Sequence, residues 1–200
     1  MQFPIPVFFI AFVLFLLYLA YRRNKQTQDQ QDRNEAFLER ERLANATRKK
    51  DISGLAFLPF SAEQINFSPN SDETLLACEE TLKELSSKKI INLSMYSNTD
   101  LKLMYGPANL NDLTEYDDNY QSLADALRTY AQRASELNFD DSAISALECA
   151  MRLKIDDSRI YVLLAELYKK HRQEEKIEDI RNALSSMDEK FARSTLSKLN

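Results

Sequence analysis

Residues 119–152, NYQSLADALRTYAQRASELNFDDSAISALECAMR, run directly into residues 153–186, LKIDDSRIYVLLAELYKKHRQEEKIEDIRNALSS. A shift of 34 positions sets Leu127 against Tyr161, Tyr130 against Leu164, Ala131 against Ala165 and Ala134 against Tyr168. It continues with Ala143 against Ile177 and Ala150 against Leu184. Within each stretch the apolar residues recur three and four apart, which is the spacing of one helix face. Ala131, Ala165, Ala143 and Ala150 are small enough for crossing helices to approach closely, while leucines and tyrosines fill the space between. The expected fold is therefore all-α, with helix pairs stacked in series.

At these positions the chain resembles the tetratricopeptide repeat family, whose period is 34 residues. Tyr161, Leu164, Ala165 and Tyr168 stand at the W–L–G–Y positions of the family's first helix. Ala143, Leu147 and Ala150 stand at the A–F–A positions of its second. The chain departs from the pattern near Asn138 and Gln173, where the family has a turn glycine, at Ile155 in place of a terminal proline, and at Arg181 in place of an aromatic. The second unit then reads as a terminal, capping one, with a last helix through Thr195–Leu199. The resemblance implies binding of peptides in a groove. One version of the family holds a partner's C-terminal carboxylate with lysine and asparagine. The corresponding places here are Arg128 and Gln132, then Arg159 and Leu163, so cations remain and the amides do not match. The candidate partner-binding residues are Arg128, Gln132, Tyr161 and Tyr168.

Composition narrows the alternatives. The 200 residues include two glycines, five prolines and no tryptophan. Average usage would give roughly 14 glycines, and doubly wound nucleotide folds and hairpin-rich sheets need them at turns and phosphate loops. The formal net charge of −5 argues against a nucleic-acid partner. The two cysteines, Cys78 and Cys149, are far apart and form no CxxC pair, so neither a disulfide framework nor a zinc site is expected.

Upstream, residues 1–21 carry no charged side chain, and Phe3 to Tyr21 is almost wholly apolar, with Pro4 and Pro6 near its start. A hydrocarbon core needs about 20 helical residues, so residues 1–21 are expected to anchor the chain in the lipid bilayer as a transmembrane helix. A cleaved signal peptide is the alternative. It lacks a basic start here, and a cut after Ala20 would put bulky Tyr18 where a small residue is wanted. Tyr18 and Tyr21 sit where interfacial aromatics belong, and Arg22, Arg23 and Lys25 follow at once. The positive-inside rule then places the N-terminus outside and the remainder in the cytoplasm, as a single-pass protein.

Residues 22–50 hold nine basic and five acidic side chains, a net of +4. Subtraction from the totals of 26 and 31 leaves 17 basic and 26 acidic over residues 51–200, a net of −9. The basic part reads as a helical stalk, helical over Glu35–Lys50. Residues 51–70, with Leu55, Phe57, Leu58, Phe60, Ile65 and Phe67, are too apolar for a flexible linker and read as an irregular strap packed on the body, the alternative being a short linear surface offered to a partner. Residues 71–118 read as helices in front of the repeats: one opened by Ser71-Asp72-Glu73-Thr74, and a short one capped at Asn98-Thr99-Asp100 and stopped by Gly106-Pro107, while the alternation of Ile91, Leu93 and Met95 between them allows a brief strand. Residues 119–200 hold two repeat units and the capping helix. Anchor, basic stalk and repeat body together also resemble small membrane-anchored repeat proteins of Gram-positive anaerobic bacteria, a resemblance that implies no known activity.

Catalytic chemistry is not expected. None of the phosphate-loop, dinucleotide, nucleophile-elbow or zinc-protease motifs occurs. The lone histidine, His171, falls in a cationic helix end, which suits the helix dipole. The pairs Asp117-Asp118, Asp140-Asp141 and Asp156-Asp157 read as helix caps rather than metal ligands. No cofactor, metal or small-molecule substrate is therefore expected. The expected function is a membrane-anchored, non-enzymatic adaptor or scaffold for an unidentified protein or peptide partner. The alternative is an accessory factor, chaperone-like, for assembly or quality control of membrane proteins.

Overall fold

The structure, a computed structural model, describes residues 5–69 and 71–199, with the side chains of 5–8 and 11 left aside. Among the described residues the chain is all-helical, with eight α-helices and no strand. Two compact units form: one from the N-terminal part through Asp51 together with residues 96–110, the other from residues 52–95 and 111 onward.

The first unit is built on α1 (Ile5–Ala46) and α3 (Asn98–Tyr105). Helix α1 is continuous for 42 residues, about 63 Å at ~1.5 Å per residue. The Gln/Asp-rich stretch Asn24–Asp32 thus belongs to the same helix as the apolar residues before it and Glu35–Ala46 after it. Helix α3 starts with a capping box, in which Ser97 and Asp100 satisfy each other's backbone N–H groups. It packs on the end of α1 through Ala44 and Leu101, both buried. Three polar contacts fix the pairing: Arg40 with Asp100 at 2.5 Å, Lys102 with Glu41 at 3.0 Å, and the Thr99 hydroxyl donating to Glu41. Past α3, Gly106 has φ 87° and lies so close to residues 48–49 that a Cβ would stand 2.5 Å from the Arg48 carbonyl oxygen. The fully buried Asn109 then donates to the carbonyls of Lys50 (2.8 Å) and Tyr105 (2.7 Å).

The expected membrane span is supported less far. Residues 1–4, with Pro4, lie outside the described residues. Among those described, no helix is long and apolar enough to cross a membrane. The apolar side chains that are described run from Phe9 to Tyr21 of α1. They are exposed throughout, for example Phe9 at 68%, Leu17 at 61% and Tyr21 at 67%.

The second unit holds α2 (Glu73–Leu85), α4 (Leu110–Glu136, of which Leu110 belongs to the first unit), α5 (Asp140–Arg152), α6 (Ser158–Lys170), α7 (Ile177–Ser185) and α8 (Glu189–Leu196). Asp72, rather than Ser71, caps α2: its carboxylate accepts from the N–H groups of Thr74 and Leu75. One core joins all six helices, with Leu75, Leu82, Leu123, Leu127, Leu147, Leu164, Ile180 and Leu184 almost fully buried. Each such side chain contributes about 1.5–3 kcal/mol relative to exposure. Ala131, Ala134, Ala143, Ala146 and Ala150 are fully buried beside them.

Three helices of this unit end alike. At the end of α4, Asn138 is left-handed (φ 62°) and the Phe139 N–H reaches back to the Ala134 carbonyl at 2.8 Å. At the end of α6, Arg172 is left-handed (φ 57°) and the Gln173 N–H reaches the Tyr168 carbonyl at 2.8 Å. Helix α5 closes the same way through Lys154 (φ 56°) and the bond from Ile155 N–H to the Ala150 carbonyl, 3.1 Å. This six-to-one closure satisfies the carbonyls that a helix end leaves open. Helix α7 ends without it.

Residues 52–69 cross this core as irregular chain. Phe60, Ala62 and Ile65 are buried, and Phe67 stands edge-on to Tyr130 at 5.3 Å. The backbone of this segment is held by side chains: Asn66 N–H donates to Ser145 Oγ (2.9 Å) and Ser68 N–H to the Tyr130 hydroxyl (3.3 Å). Residues 90–95 are irregular as well. The Ile91 N–H bonds the Tyr116 carbonyl and the Leu93 N–H bonds Asp117 Oδ1 (2.6 Å), so this segment pairs with a helix rather than with a strand.

Candidate functional site

Helix α6 begins at a charged junction. Asp157 is its N-cap, accepting the Arg159 N–H at 3.0 Å. The same carboxylate takes the Arg159 guanidinium in a two-pronged contact (2.8 and 2.6 Å) and lies 3.2 Å from Arg128 Nε. Arg128 in turn holds Asp125 at 2.6 Å. Burial works against the charge on Asp157, but the Arg159 hydrogen bonds and the two guanidinium charges outweigh it and keep the carboxyl below its ordinary range. Beside it, Asp156 accepts the Tyr120 hydroxyl and the Asn92 amide (3.0 Å). Burial, followed by the Asp156 hydrogen bond, pushes the Tyr120 hydroxyl well above its usual range, so it is a fixed donor. A cleft of about 300 Å³ opens at this junction, with Asp125 of α4 on one side, the start of α6 below, and Phe191 and Thr195 of α8 opposite.

The expected partner-binding residues separate into two groups. Tyr161 and Tyr168 are interior, at 0% and 1% exposure, which removes them from any partner-facing surface. The Tyr161 hydroxyl donates to Met187 Sδ (3.2 Å), and that of Tyr168 to Glu148 (2.8 Å). Their rings fill the spaces between helices, as large side chains at crossings do. Arg128 and Gln132 share one face of α4, where Arg128 Nη1 donates to the Gln132 side chain at 3.4 Å. Gln132 is exposed and Arg128 half-buried among its acids. On the first unit, Tyr18, Tyr21, Arg22, Arg23 and Lys25 are all exposed along α1.

Of the acidic pairs, Asp156-Asp157 stands at a helix start. Asp117-Asp118 instead lies inside α4, where Asp117 serves the 90–95 segment. Asp140 opens α5 without capping it; its carboxylate receives Lys170 Nζ (2.5 Å) and His171 Nε2 (2.7 Å). Among the described residues no group of three or more His, Cys, Asp or Glu is placed to hold a metal ion. Cys78 and Cys149 are buried free thiols, and burial raises both above their usual range, against reactivity. The residues that sequence reasoning passed over are Asp125, Phe191 and Thr195. They come together only because α8 folds back on α6, and no short-range pattern announces that.

Comparison with protein-family models, with curated proteins and with solved structures finds no match for this chain.

Proposed function

We propose that the chain is a non-enzymatic adaptor, tethered to a membrane by the N-terminal part of α1 and binding a protein or peptide partner through its helical second unit. The observation that carries the tether is the uncovered apolar run of α1. Phe9, Ile10, Phe12, Leu14, Phe15, Leu16 and Leu17 are each about half exposed or more, and a patch of that extent marks a membrane or partner surface. The helix passes without a break into Arg22, Arg23 and Lys25, the placement of charge that favours a cytoplasmic second unit and an N-terminus outside. Tethering of this kind raises the effective concentration for partners in the same membrane.

The closures at Asn138 and Arg172, 34 residues apart, support a tetratricopeptide-like reading of the second unit, as do the buried alanines at the helix crossings. Such helix pairs bind through their surfaces, and the polar cleft at the start of α6 is the candidate surface here.

Carbonate extraction of membranes from cells producing the full chain tests the tether. The chain is expected to stay with the membrane pellet, and a Leu14→Arg, Leu17→Arg double variant is expected to leave it. A wild-type chain released entirely into the carbonate supernatant would overturn the proposal. Protease treatment of intact cells then reports the side: protection of the second unit until the membrane is opened is the expected result, and digestion in intact cells would overturn the orientation.

A further inference from the structure

Thr195 lies on α8 at the wall of the cleft, fully buried, and its hydroxyl has no hydrogen-bond partner among the described residues. A buried hydroxyl left unmatched is unfavourable, so its presence beside an open, polar space points to a group that enters and bonds it. The charge of the cleft indicates which kind. Arg159 is matched by Asp157 and Arg128 by Asp125, at 2.6 Å each. Asp156 is met by two neutral donors, the Tyr120 hydroxyl and the Asn92 amide, so its negative charge stays uncompensated at the cleft. Asp125 remains mostly open to solvent, with a side chain 68% exposed. Phe191 adds an aromatic wall, on which a cation can lie. One ammonium of the chain already leans on the rim: exposed Lys198 donates to Ser158 Oγ at 2.9 Å.

We infer that this cleft receives a cationic side chain, guanidinium or ammonium, of the partner protein, with Asp125 and Asp156 meeting its charge and the Thr195 hydroxyl accepting one of its N–H groups. The inference deepens the adaptor proposal and rests on it for the partner being a protein. The volume of about 300 Å³, at the small end of ligand-sized clefts, has room for one long side chain. An anion is disfavoured, because Asp125 and Asp157 are each paired with a guanidinium while Asp156 is met by neutral donors and leaves the excess charge negative.

The test uses the full chain in detergent micelles, with N-acetyl-arginine methylamide, N-acetyl-lysine methylamide and N-acetyl-glutamate methylamide as probes, followed by NMR on the Phe191 ring and the Thr195 methyl. One or both cationic probes are expected to shift these signals saturably, while the glutamate probe leaves them unmoved. Which cationic probe binds more tightly separates guanidinium from ammonium. Thr195→Val keeps the side-chain shape, so its melting temperature should equal or exceed that of the wild type while cationic probe binding weakens at least fivefold. Asp125→Asn, at an exposed position, should weaken binding similarly. The inference is overturned if the glutamate probe binds as well as the cationic ones, if no probe moves Phe191 or Thr195, or if Thr195→Val binds like the wild type. None of these results touches carbonate extraction, so failure here is distinguishable from failure of the tether.

Discussion

Asn138 and Arg172 lie 34 residues apart and adopt the same left-handed backbone, φ 62° and 57°, each followed by an N–H that reaches five residues back at 2.8 Å. The chain therefore turns by one local geometry from α4 into α5 and again from α6 toward α7, the geometry that Lys154 (φ 56°) also adopts between α5 and α6. Sequence has no glycine at either place, although glycine is the residue this conformation favours. Asparagine tolerates it through its short polar side chain; arginine carries the full Cβ penalty.

Replacing Arg172 with glycine is accordingly expected to stabilise the second unit. The relief of about 1–2 kcal/mol from the left-handed residue is partly offset by the greater freedom of glycine in the unfolded chain. The net gain is about 0.5–1 kcal/mol. Asn138→Gly should gain less. Urea denaturation of the two variants beside the wild type checks the order, which should be Arg172→Gly first, then Asn138→Gly, then wild type.

Gly106 presents the opposite case. Here the backbone is left-handed at φ 87° and there is no room for a methyl group, since a Cβ would stand 2.5 Å from a carbonyl oxygen. Backbone must move, so Gly106→Ala is expected to cost about 2 kcal/mol or more. The loss belongs to the first unit. Hydrogen exchange should show faster exchange in α3, whose end bonds Lys50 through the Tyr105 carbonyl, with no change at Leu147 or Leu164 in the second unit.

How far these features are legible in sequence differs from place to place. The 34-residue offset marks the helix pairs because the same side chains face the same core twice, a periodic signal that survives substitution. Asp72, Ser97 and Asp157 cap helices within one turn, so their signals are local, although Ser71 competes for the first and Asn98 for the second, and the structure selects Asp72 and Ser97. By contrast, Tyr161 and Tyr168 cannot be assigned to groove or core from their own helix, since the difference lies in whether α7, α8 or solvent stands opposite. The continuity of α1 through the Gln/Asp-rich stretch is equally hidden. Polar residues carry no facing pattern, yet nothing in Asn24–Asp32 breaks a helix. The cleft at Asp156 and Thr195 joins residues almost forty positions apart and leaves no local trace.

At the helix crossings, size is constrained in both directions. Ala143 is fully buried on α5, and Leu147 lies one turn further along the same helix, also fully buried. Leu147→Ala removes apolar contacts and leaves a void, for an expected loss of about 2–5 kcal/mol. Ala143→Leu forces helices apart, for about 1–3 kcal/mol. If the close approach of α5 to its neighbours depends on small residues, the double variant will not recover stability, because the added volume at 143 does not fill the space left at 147. Thermal melts of both single variants and the double one decide this.

Acid sensitivity follows from Asp140. Burial opposes its charge, yet the hydrogen bonds and charges of Lys170 and His171 outweigh that and hold the carboxyl below its ordinary value. A carboxylate whose folded pKa is depressed contributes its full stabilisation above the unfolded value, about 3.9. That contribution fades as pH falls through the folded value, because there the unfolded chain binds more protons than the folded one. Stability of the wild type should therefore drop steeply below about pH 4. Asp140→Asn removes the anionic acceptor that Lys170 and His171 share, with an expected loss of about 2 kcal/mol at neutral pH. It also removes one titrating group from the acid limb, so the gap between variant and wild type should narrow as pH falls from 5 to 3. Urea midpoints across that interval check the sign. A gap that widens toward low pH would show that the Asp140 carboxylate is not held ionised by Lys170 and His171, and that the end of α6 is fixed by packing alone.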